Sequence, residues 1–396
     1  MSELTKLLEG VKVEWKSLGE VAELKRGRVM SKNYLSENSG IYPVYSSQTA
    51  NNGEIGKINS FDFSGKYLTW TTDGANAGTI FYREGNFSIT NVCGLIAIKN
   101  LNIISYKFLF YWLNIRAKNY VYSGMGNPKL MTHQIEKIPI PIPCPDNPEK
   151  SMKIQQEIVR ILDRLSKETN QLTAALQKEV DLHQKQYNFY REELFKYNER
   201  IKLLGDEEVG KFIRGSGLQK KDFTDTGVGC IHYGQVYTYY GIYADKTKSF
   251  VSEAFAKTAR KASTGDIVIA TTSENDEDVC KAVAWLGKED IAVSSDACFY
   301  RHNLNAKYVS HYFQTEQFQK QKRKYITGIK VRRVNADDLA KILIPVPSLE
   351  DQERIVKILD DMNTATKSIT VAIQREIALR KKQYEYYRDL LLTFPK

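Results

Sequence analysis

Ile158-Val159-Arg160-Ile161-Leu162-Asp163 recurs as Ile355-Val356-Lys357-Ile358-Leu359-Asp360, and Gln186-Tyr187-Asn188-Phe189-Tyr190-Arg191 recurs as Gln383-Tyr384-Glu385-Tyr386-Tyr387-Arg388. Both repeats stand 197 residues apart with no gap between the anchors, so this chain of 396 residues is a tandem duplication. Outward from the anchors, positions 159, 162, 166, 169, 173, 176, 180, 183, 187, 190 and 194 step by three and four. They hold Val, Leu, Ser, Thr, Thr, Leu, Val, His, Tyr, Tyr and Leu; the second copy holds Val, Leu, Asn, Thr, Thr, Ile, Ile, Arg, Tyr, Tyr and Leu. Heptad spacing sustained this long predicts a coiled coil. Neither 151–195 nor 351–393 contains Pro or Gly, and a helix of about 45 residues is a rod on the order of 65 Å. The competing reading is a solvated helix packed on its own module. The shared register favours pairing of the two copies as a pseudo-two-fold internal repeat, and spacing alone leaves their orientation open.

Upstream the duplication continues with drift. Lys137-Ile138-Pro139-Ile140-Pro141-Ile142-Pro143 matches Lys341-Ile342-Leu343-Ile344-Pro345-Val346-Pro347, after which the first copy carries seven extra residues around Cys144-Pro145-Asp146-Asn147-Pro148. Leu18-Gly19-Glu20 matches Leu204-Gly205-Asp206, and Arg26-Gly27 matches Arg214-Gly215. Residues 41–100 and 228–300 are β-rich runs broken by Gly, Asn and Asp, whereas 105–120 and 307–324 have helical patterns. The expected class is α+β: two variable α/β modules (1–149 and 200–347), each followed by a well-matched long helix (150–199 and 348–396).

Composition narrows the function. The 57 Lys and Arg exceed the 47 Asp and Glu, for a formal charge of +10, which favours a polyanionic partner. Five cysteines, without C-x-x-C spacing, argue against a zinc ribbon or disulfide framework and for a reducing compartment. No apolar run is long enough for a membrane span, and the first residues lack a secretory pattern, so a cytoplasmic location is expected. Gly53-Glu54-Ile55-Gly56-Lys57-Ile58 has the wrong spacing for a phosphate loop, and Gly215-Ser216-Gly217 is too short for a dinucleotide fingerprint. The five His show no zinc spacing, and Pro145-Asp146 with Glu149-Lys150 only faintly echoes a nuclease motif. No catalytic residue, metal site or cofactor site is expected.

The positive signals suggest DNA. Lys320-Gln321-Lys322-Arg323-Lys324 leads to Lys330-Val331-Arg332-Arg333, seven basic residues within 14 and no acid. Such density suits phosphate neutralisation; the alternative is a solvated face. Lys330, Arg332 and Arg333 are the chosen contacts there. The first module offers Lys25, Arg26 and Arg28 beside Lys32, and Gly124-Met125-Gly126-Asn127-Pro128-Lys129 where the second has its basic hairpin, with Asn127 and Lys129 as contacts. Ser47, Gln48, Thr71, Thr72, His232, Tyr233, Gln235, Thr271 and Thr272 sit in polar loops or strand ends whose groups suit base edges.

A variable module, a Pro-rich strand and a long helix, all present twice, resembles the specificity subunit of type I restriction–modification systems. Lys137 to Lys150, Ile158 to Asp163 and Gln383 to Leu391 look like the conserved regions of the type IC group. Arg214-Gly215-Ser216-Gly217-Leu218-Gln219-Lys220-Lys221-Asp222-Phe223 and Gly229-Cys230-Ile231-His232-Tyr233-Gly234-Gln235 resemble the opening of target recognition domains, which adds Arg214, Lys220 and Lys221 to the DNA contacts. The resemblance implies that each module reads one half of a bipartite, asymmetric double-stranded DNA site. It implies that the helices pair as an antiparallel coiled coil, set the spacer and dock two modification subunits through Ile158, Leu162, Tyr187, Tyr190, Ile355, Leu359, Tyr384 and Tyr387. Those adenine-N6 methyltransferase subunits would hold S-adenosylmethionine, and restriction subunits would use ATP and Mg; this chain would hold no cofactor and be non-catalytic.

Overall fold

The computed structural model describes residues 8–124, 126–196 and 200–395. They form two compact units, Met1–Ala175 with Glu376–Lys396, and Leu176–Arg375. Two helices contribute to both: a central one, Pro148–Lys196, and a C-terminal one, Leu349–Leu391. Pro148 opens the central helix, where a missing N–H and a fixed φ cost nothing.

In the first unit, strands β1 (Val13–Ser17), β2 (Ala22–Arg26), β3 (Ser39–Tyr45), β4 (Glu54–Ile58), β5 (Phe63–Thr71), β6 (Ile80–Ile89), β7 (Cys93–Ile98) and β8 (Pro139–Pro143) precede the central helix. Six of them form a sheet in the order β2-β7-β5-β6-β3-β4, antiparallel except for β3 on β6. Alternation along β5 turns Leu68 and Trp70 onto one face, where the helix Tyr106–Arg116 buries Phe108, Leu109, Trp112 and Leu113 against them. Trp70 donates from Nε1 to the Leu130 carbonyl at 2.9 Å. A Cβ on Gly94 would lie 2.2 Å from that indole, so the strand opposite admits only glycine.

β1 and β8 form a separate two-stranded ribbon, Val13 opposite Pro143 through Ser17 opposite Pro139. Prolines at every second position leave β8 donors on one edge only, which a two-stranded ribbon tolerates, while Ile140 and Ile142 point into the core. The chain's end returns to this unit. Leu391 and Leu392 are buried, Phe394 lies 5.9 Å edge-on from both Phe108 and Trp112, and Trp15 Nε1 donates to the Pro395 carbonyl at 3.3 Å.

The second unit contains two five-stranded sheets. One runs Gly210–Arg214, Ala297–His302, Ile267–Ala270, Ala282–Trp285, Tyr243–Ala244; the other runs Phe223–Thr224, Ser249–Val251, Val228–Ile231, Ile291–Val293, Lys261–Ala262. The ribbon recurs as Ile201–Leu203 on Leu343–Pro345, and the sheet helix as Ala306–Tyr312.

The duplication persists at the level of single hydrogen bonds. Leu18 N donates to Ile138 O and Leu204 N to Ile342 O. Trp112 donates to the Pro139 carbonyl, and Tyr312 to the Leu343 carbonyl. Gln155 Oε1 accepts from Ser105 N at 3.0 Å, and Gln352 Oε1 from Asn305 N at 2.8 Å. Most telling is an aspartate on each long helix. Asp163 takes Lys107 Nζ at 3.1 Å and the Tyr111 hydroxyl at 2.5 Å, with Tyr384 and Ser166 beside it. Asp360 takes Lys307 Nζ at 2.7 Å and faces His311 Nε2 at 3.3 Å, with the Tyr187 hydroxyl 3.4 Å from His311 Nδ1.

Helix pairing is antiparallel within each unit. In the first, the start of the central helix (Ile158, Leu162) shares a core with Leu391, the last residue of the C-terminal helix, and with Leu392 after it. In the second, Tyr187 and Phe195 share a core with Ile355, Val356 and Leu359. From 166 to 183 the expected seam positions are half-buried and every residue between them is exposed. The spacing fails at Tyr190 and Arg380, both exposed. At that level the covered face of the central helix runs through Tyr187, Arg191 and Phe195 and also meets the module, Arg191 Nη1 reaching Gln314 Oε1 at 2.9 Å and the Phe195 ring lying tilted 4.8 Å from Tyr308.

Burial holds the imidazoles of His302 and His311 down at about 4, against the desolvated charge. A base whose folded value lies below its unfolded one, ~6.5, binds protons preferentially when unfolded. Its stabilisation is complete above pH ~6.5 and is lost as pH falls toward 4. Calorimetric melting of the second unit is therefore expected to shift down between pH 7 and 4.5, by roughly 2–4 kcal/mol per histidine. His311→Tyr, which copies Tyr111 of the first unit, removes part of that shift; an unchanged pH profile in this variant would refute the assignment.

Candidate nucleic-acid interface

In the first unit β2 and β5 finish, and β7 begins, at one end of the sheet, where the loops after β3, β5 and β6 also lie. Arg26, the last residue of β2, donates from Nε and Nη2 to the Asn91 carbonyl at 3.0 and 2.5 Å, and stands 4.0 Å from Asp73. Lys129 reaches the other oxygen of Asp73 at 4.0 Å. Ser47, Gln48 and Asn127 sit in neighbouring loops; Gln48 and Asn127 are exposed and Ser47 is half-buried. Gln48 Nε2 donates to the Glu54 carbonyl at 2.5 Å.

Two expected contacts of this module, Thr71 and Thr72, are corrected, and Arg28 and Lys25 are exposed but ion-paired. Thr71 and Thr72 are fully buried; Thr71 donates to the Asn76 carbonyl and Thr72 to Asp73, so both hydroxyls shape the turn after β5. Arg28 pairs with Asp62 at 3.1 Å and donates to the Tyr34 hydroxyl at 2.9 Å. Lys25 points to the other face of β2, 3.3 Å from Glu23.

The second unit presents the corresponding sheet end with different chemistry. A cleft of about 510 Å³ is lined by Arg214, Thr271, Thr272, Ser295, Asp296, Arg333 and Asn335, among others. Arg214 Nε donates to the Ser295 carbonyl at 3.3 Å, and Arg260 Nη1 to the Arg214 carbonyl at 3.1 Å. Among the described residues neither Arg214 nor Arg333 has a carboxylate within ion-pair distance. Lys220 and Lys221 are exposed on a neighbouring turn, and Tyr233 is half-buried. Arg260 lies 46 residues from Arg214, so no local pattern links them, and a side-chain bond across the fold brings them together.

His232 and Gln235 are corrected in turn. They are buried caps: His232 Nδ1 accepts from Gly234 N at 3.2 Å, and Gln235 Oε1 from His232 N at 3.0 Å while its amide donates to Ser249 at 2.7 Å. Burial, and then Lys220, lower the imidazole's basicity. Thr272 is buried in a pair with Arg333, and Thr271 donates to the Asp296 carbonyl.

The basic run is not one patch. Lys322 is fully buried, and its ammonium donates to three carbonyls, Asp276, Glu277 and Val279, at 2.8–3.1 Å. Arg323 pairs with Glu316 at 2.8 Å, and Arg332 with Asp276 at 2.7 Å. Lys330 and Arg333 remain exposed.

Burial pushes the thiols of Cys93, Cys230 and Cys280 up to about 12, so they are not poised as nucleophiles. Among the described residues no group of three or more His, Cys, Asp or Glu is placed to hold a metal ion, and no helix is long and apolar enough to cross a membrane.

The sequence matches the type I restriction modification DNA specificity domain twice, over residues 11–182 and 207–379. The chain belongs to this family of specificity subunits. The family duplication coincides with the repeated modules and helices described above. The chain is 30% identical to the EcoR124I/EcoR124II type I restriction enzyme specificity subunit of Escherichia coli, over 100% of this chain and 98% of that one. It is 30% identical to a putative type I specificity subunit of Mycoplasma pneumoniae, over 95% and 96%. A solved structure described as "Structural basis underlying complex assembly and conformational transition of the type I R-M system" shares the fold with a TM-score of 0.70 at 17% identity, covering 96% and 97%. Members of this family are non-catalytic subunits of multi-subunit complexes that act on DNA.

The helix residues expected to dock partners are largely interior. Ile158, Leu162 and Leu359 are fully buried, and Ile355 and Tyr187 are 6% and 4% exposed, so each unit's own core consumes them. Tyr384 and Tyr387 line a shallow groove with Leu165 and Leu172. Phe189, Tyr190 and Tyr386 are exposed, in the pairs Phe189–Tyr190 and Tyr386–Tyr387 with ring centroids 5.6 and 5.4 Å apart, while Tyr387 is half-buried.

Replacing Lys322 by Met removes the donor to three carbonyls, that of Val279 buried, and is expected to lower stability by about 2–3 kcal/mol, read as a shift of the denaturant midpoint. Lys330→Ala, which removes an exposed side chain, leaves that midpoint unchanged.

Proposed function

We propose that the two specificity domains each read one half of a bipartite, asymmetric double-stranded DNA site. The two long helices fix the unspecified spacer between the halves. They also carry two modification subunits, which methylate adenine, and restriction subunits join the assembly. S-adenosylmethionine, ATP and Mg belong to those partners, and the complex works in the cytoplasm.

One observation carries this reading. Equivalent sheet ends hold unlike chemistry: Arg26 and Lys129 share Asp73 in the first module, whereas in the second Arg214 and Arg333 line a cleft with Asp296 and Asp337 and, among the described residues, make no ion pair. Unlike readers on a repeated frame suit unlike half-sites. Arginine pairs with guanine edges or phosphates, and Gln48 and Asn127 suit adenine. The DNA contacts we assign are Arg26, Ser47, Gln48, Asn127 and Lys129 in the first module, and Arg214, Lys220, Lys221, Tyr233, Lys330 and Arg333 in the second. Partner docking is assigned to the aromatic pairs Phe189–Tyr190 and Tyr386–Tyr387, of which Phe189, Tyr190 and Tyr386 are exposed and which the duplication places at matching points of two helices.

Methylome sequencing of a host expressing the chain with its partner subunits tests the reading. A discontinuous, non-palindromic methylated motif is expected; methylation without sequence preference would overturn it. An in-frame insertion of four residues at Ala174 should widen the gap and leave both halves unchanged. Arg214→Ala with Arg333→Ala should weaken binding and reduce its salt slope by about two. Phe189→Ser should cut the modification subunits co-purified per chain from two to one, and adding Tyr386→Ser should remove the second.

A further inference from the structure

At the tip of the second module's hairpin, Ile329 is 92% exposed, more than any other large apolar residue among those described, and Val331 is 45% exposed. The tip is built to hold still. Thr327 and Arg333 exchange two backbone hydrogen bonds of 2.9 Å that close the loop. Gly328 has φ +90°, and a Cβ there would lie 2.1 Å from the Val331 carbonyl, so the turn demands glycine. The Arg332 guanidinium crosses the loop to the Gly328 carbonyl at 2.5 Å and pairs with Asp276 at 2.7 Å, which fastens the loop to the segment beside it. Arg332 and Arg333 also pair with Thr272 and Ser273 as a short ribbon. The loop's ordering is thus met before any ligand arrives, and what it presents is one apolar side chain with Lys330 next to it.

Charge decides the occupant. Among the described residues neither Lys330 nor Arg333 makes an ion pair, and Arg333 opens onto the neighbouring cleft, where Asp296 and Asp337 lie beyond ion-pair distance. A protein surface that buried Ile329 would also have to accept those cations beside its apolar centre. Duplex DNA offers this combination directly, an apolar base stack between two lines of phosphate. Apolar side chains entering a base step unstack it and bend the duplex, and the wider contact then gained offsets the cost.

We infer that Ile329 is a wedge that enters a base step of the second half-site, with Lys330 and Arg333 on the flanking phosphates, and kinks the duplex there. The inference rests on reading the second module as a DNA reader and adds a deformation to it. The duplication sets Met125 opposite Ile329 in sequence, another large apolar residue, which lies outside the described residues.

The test uses the full chain assembled with its methyltransferase subunits, on the duplex motif found by methylation mapping. 2-Aminopurine is placed singly at each position of the second half-site and its neighbours, apart from the adenine that is methylated. With wild type, fluorescence should rise at one step. Ile329→Ala should abolish that rise and weaken binding about tenfold, while Ile329→Leu retains both and the salt slope is unchanged in each variant. Sequence-specific binding with no such step, or with a step that survives Ile329→Ala, overturns the wedge and leaves the reader intact. Loss of discrimination in the second half-site by wild type would instead sink the parent reading. If Ile329→Ala lowers co-purification of methyltransferase subunits without DNA, the tip contacts protein and the inference falls.

Discussion

A carboxylate placed on each long helix holds the structure to its plan. Asp163 and Asp360 each take a lysine from the helix of the adjoining module and a hydroxyl or imidazole from the same helix, with a tyrosine of the other long helix close by. These carboxylates are partly shielded from water, so the lysine contact is worth more than an exposed pair, and the added hydrogen bonds spread the charge. Breaking one would loosen three elements together. Each unit is therefore a module locked onto a helix pair, and the loops at the free end of its sheet can vary without disturbing the lock.

The arrangement separates stability from recognition. Core residues repeat between units: Leu18 with Leu204, Ile140 with Ile344, Leu162 with Leu359. The loop residues do not. Asp73 balances two cations in the first module, whereas the corresponding end of the second spends Asp276 on Arg332 and leaves Arg333 open. Net charge alone, +10 for the chain, says little about where a polyanion would sit. The pattern of compensated and uncompensated arginines says much more.

The long helices, their seam and the duplicated modules were readable from the sequence because period and repetition are local or exact in register. Positions 166 to 183 followed the heptad because only one helix face is covered there. Tyr190 departed from it because the covered face there runs through Tyr187, Arg191 and Phe195, which pack on the module as well as on the other helix. Site residues were read less well. Thr71, His232 and Gln235 look like free hydrogen-bonding groups in a sequence, yet a turn or a cap uses them. Lys322 looks like its neighbours in a basic run, but its helix turns it inward onto three carbonyls. Whether a polar side chain is free depends on distant backbone that no spacing reveals.

The two-stranded ribbons close each module at its base. β1 lies on β8, and Ile201–Leu203 lies on Leu343–Pro345, so the chain enters and leaves each module through adjacent strands. Everything between those strands is a loop in the topological sense. An ancestral gene could exchange that interval for another of different length and composition, and the frame would register only the two strands at the junction. New sequence preferences can therefore arise by cassette replacement rather than by gradual reshaping of a single binding surface.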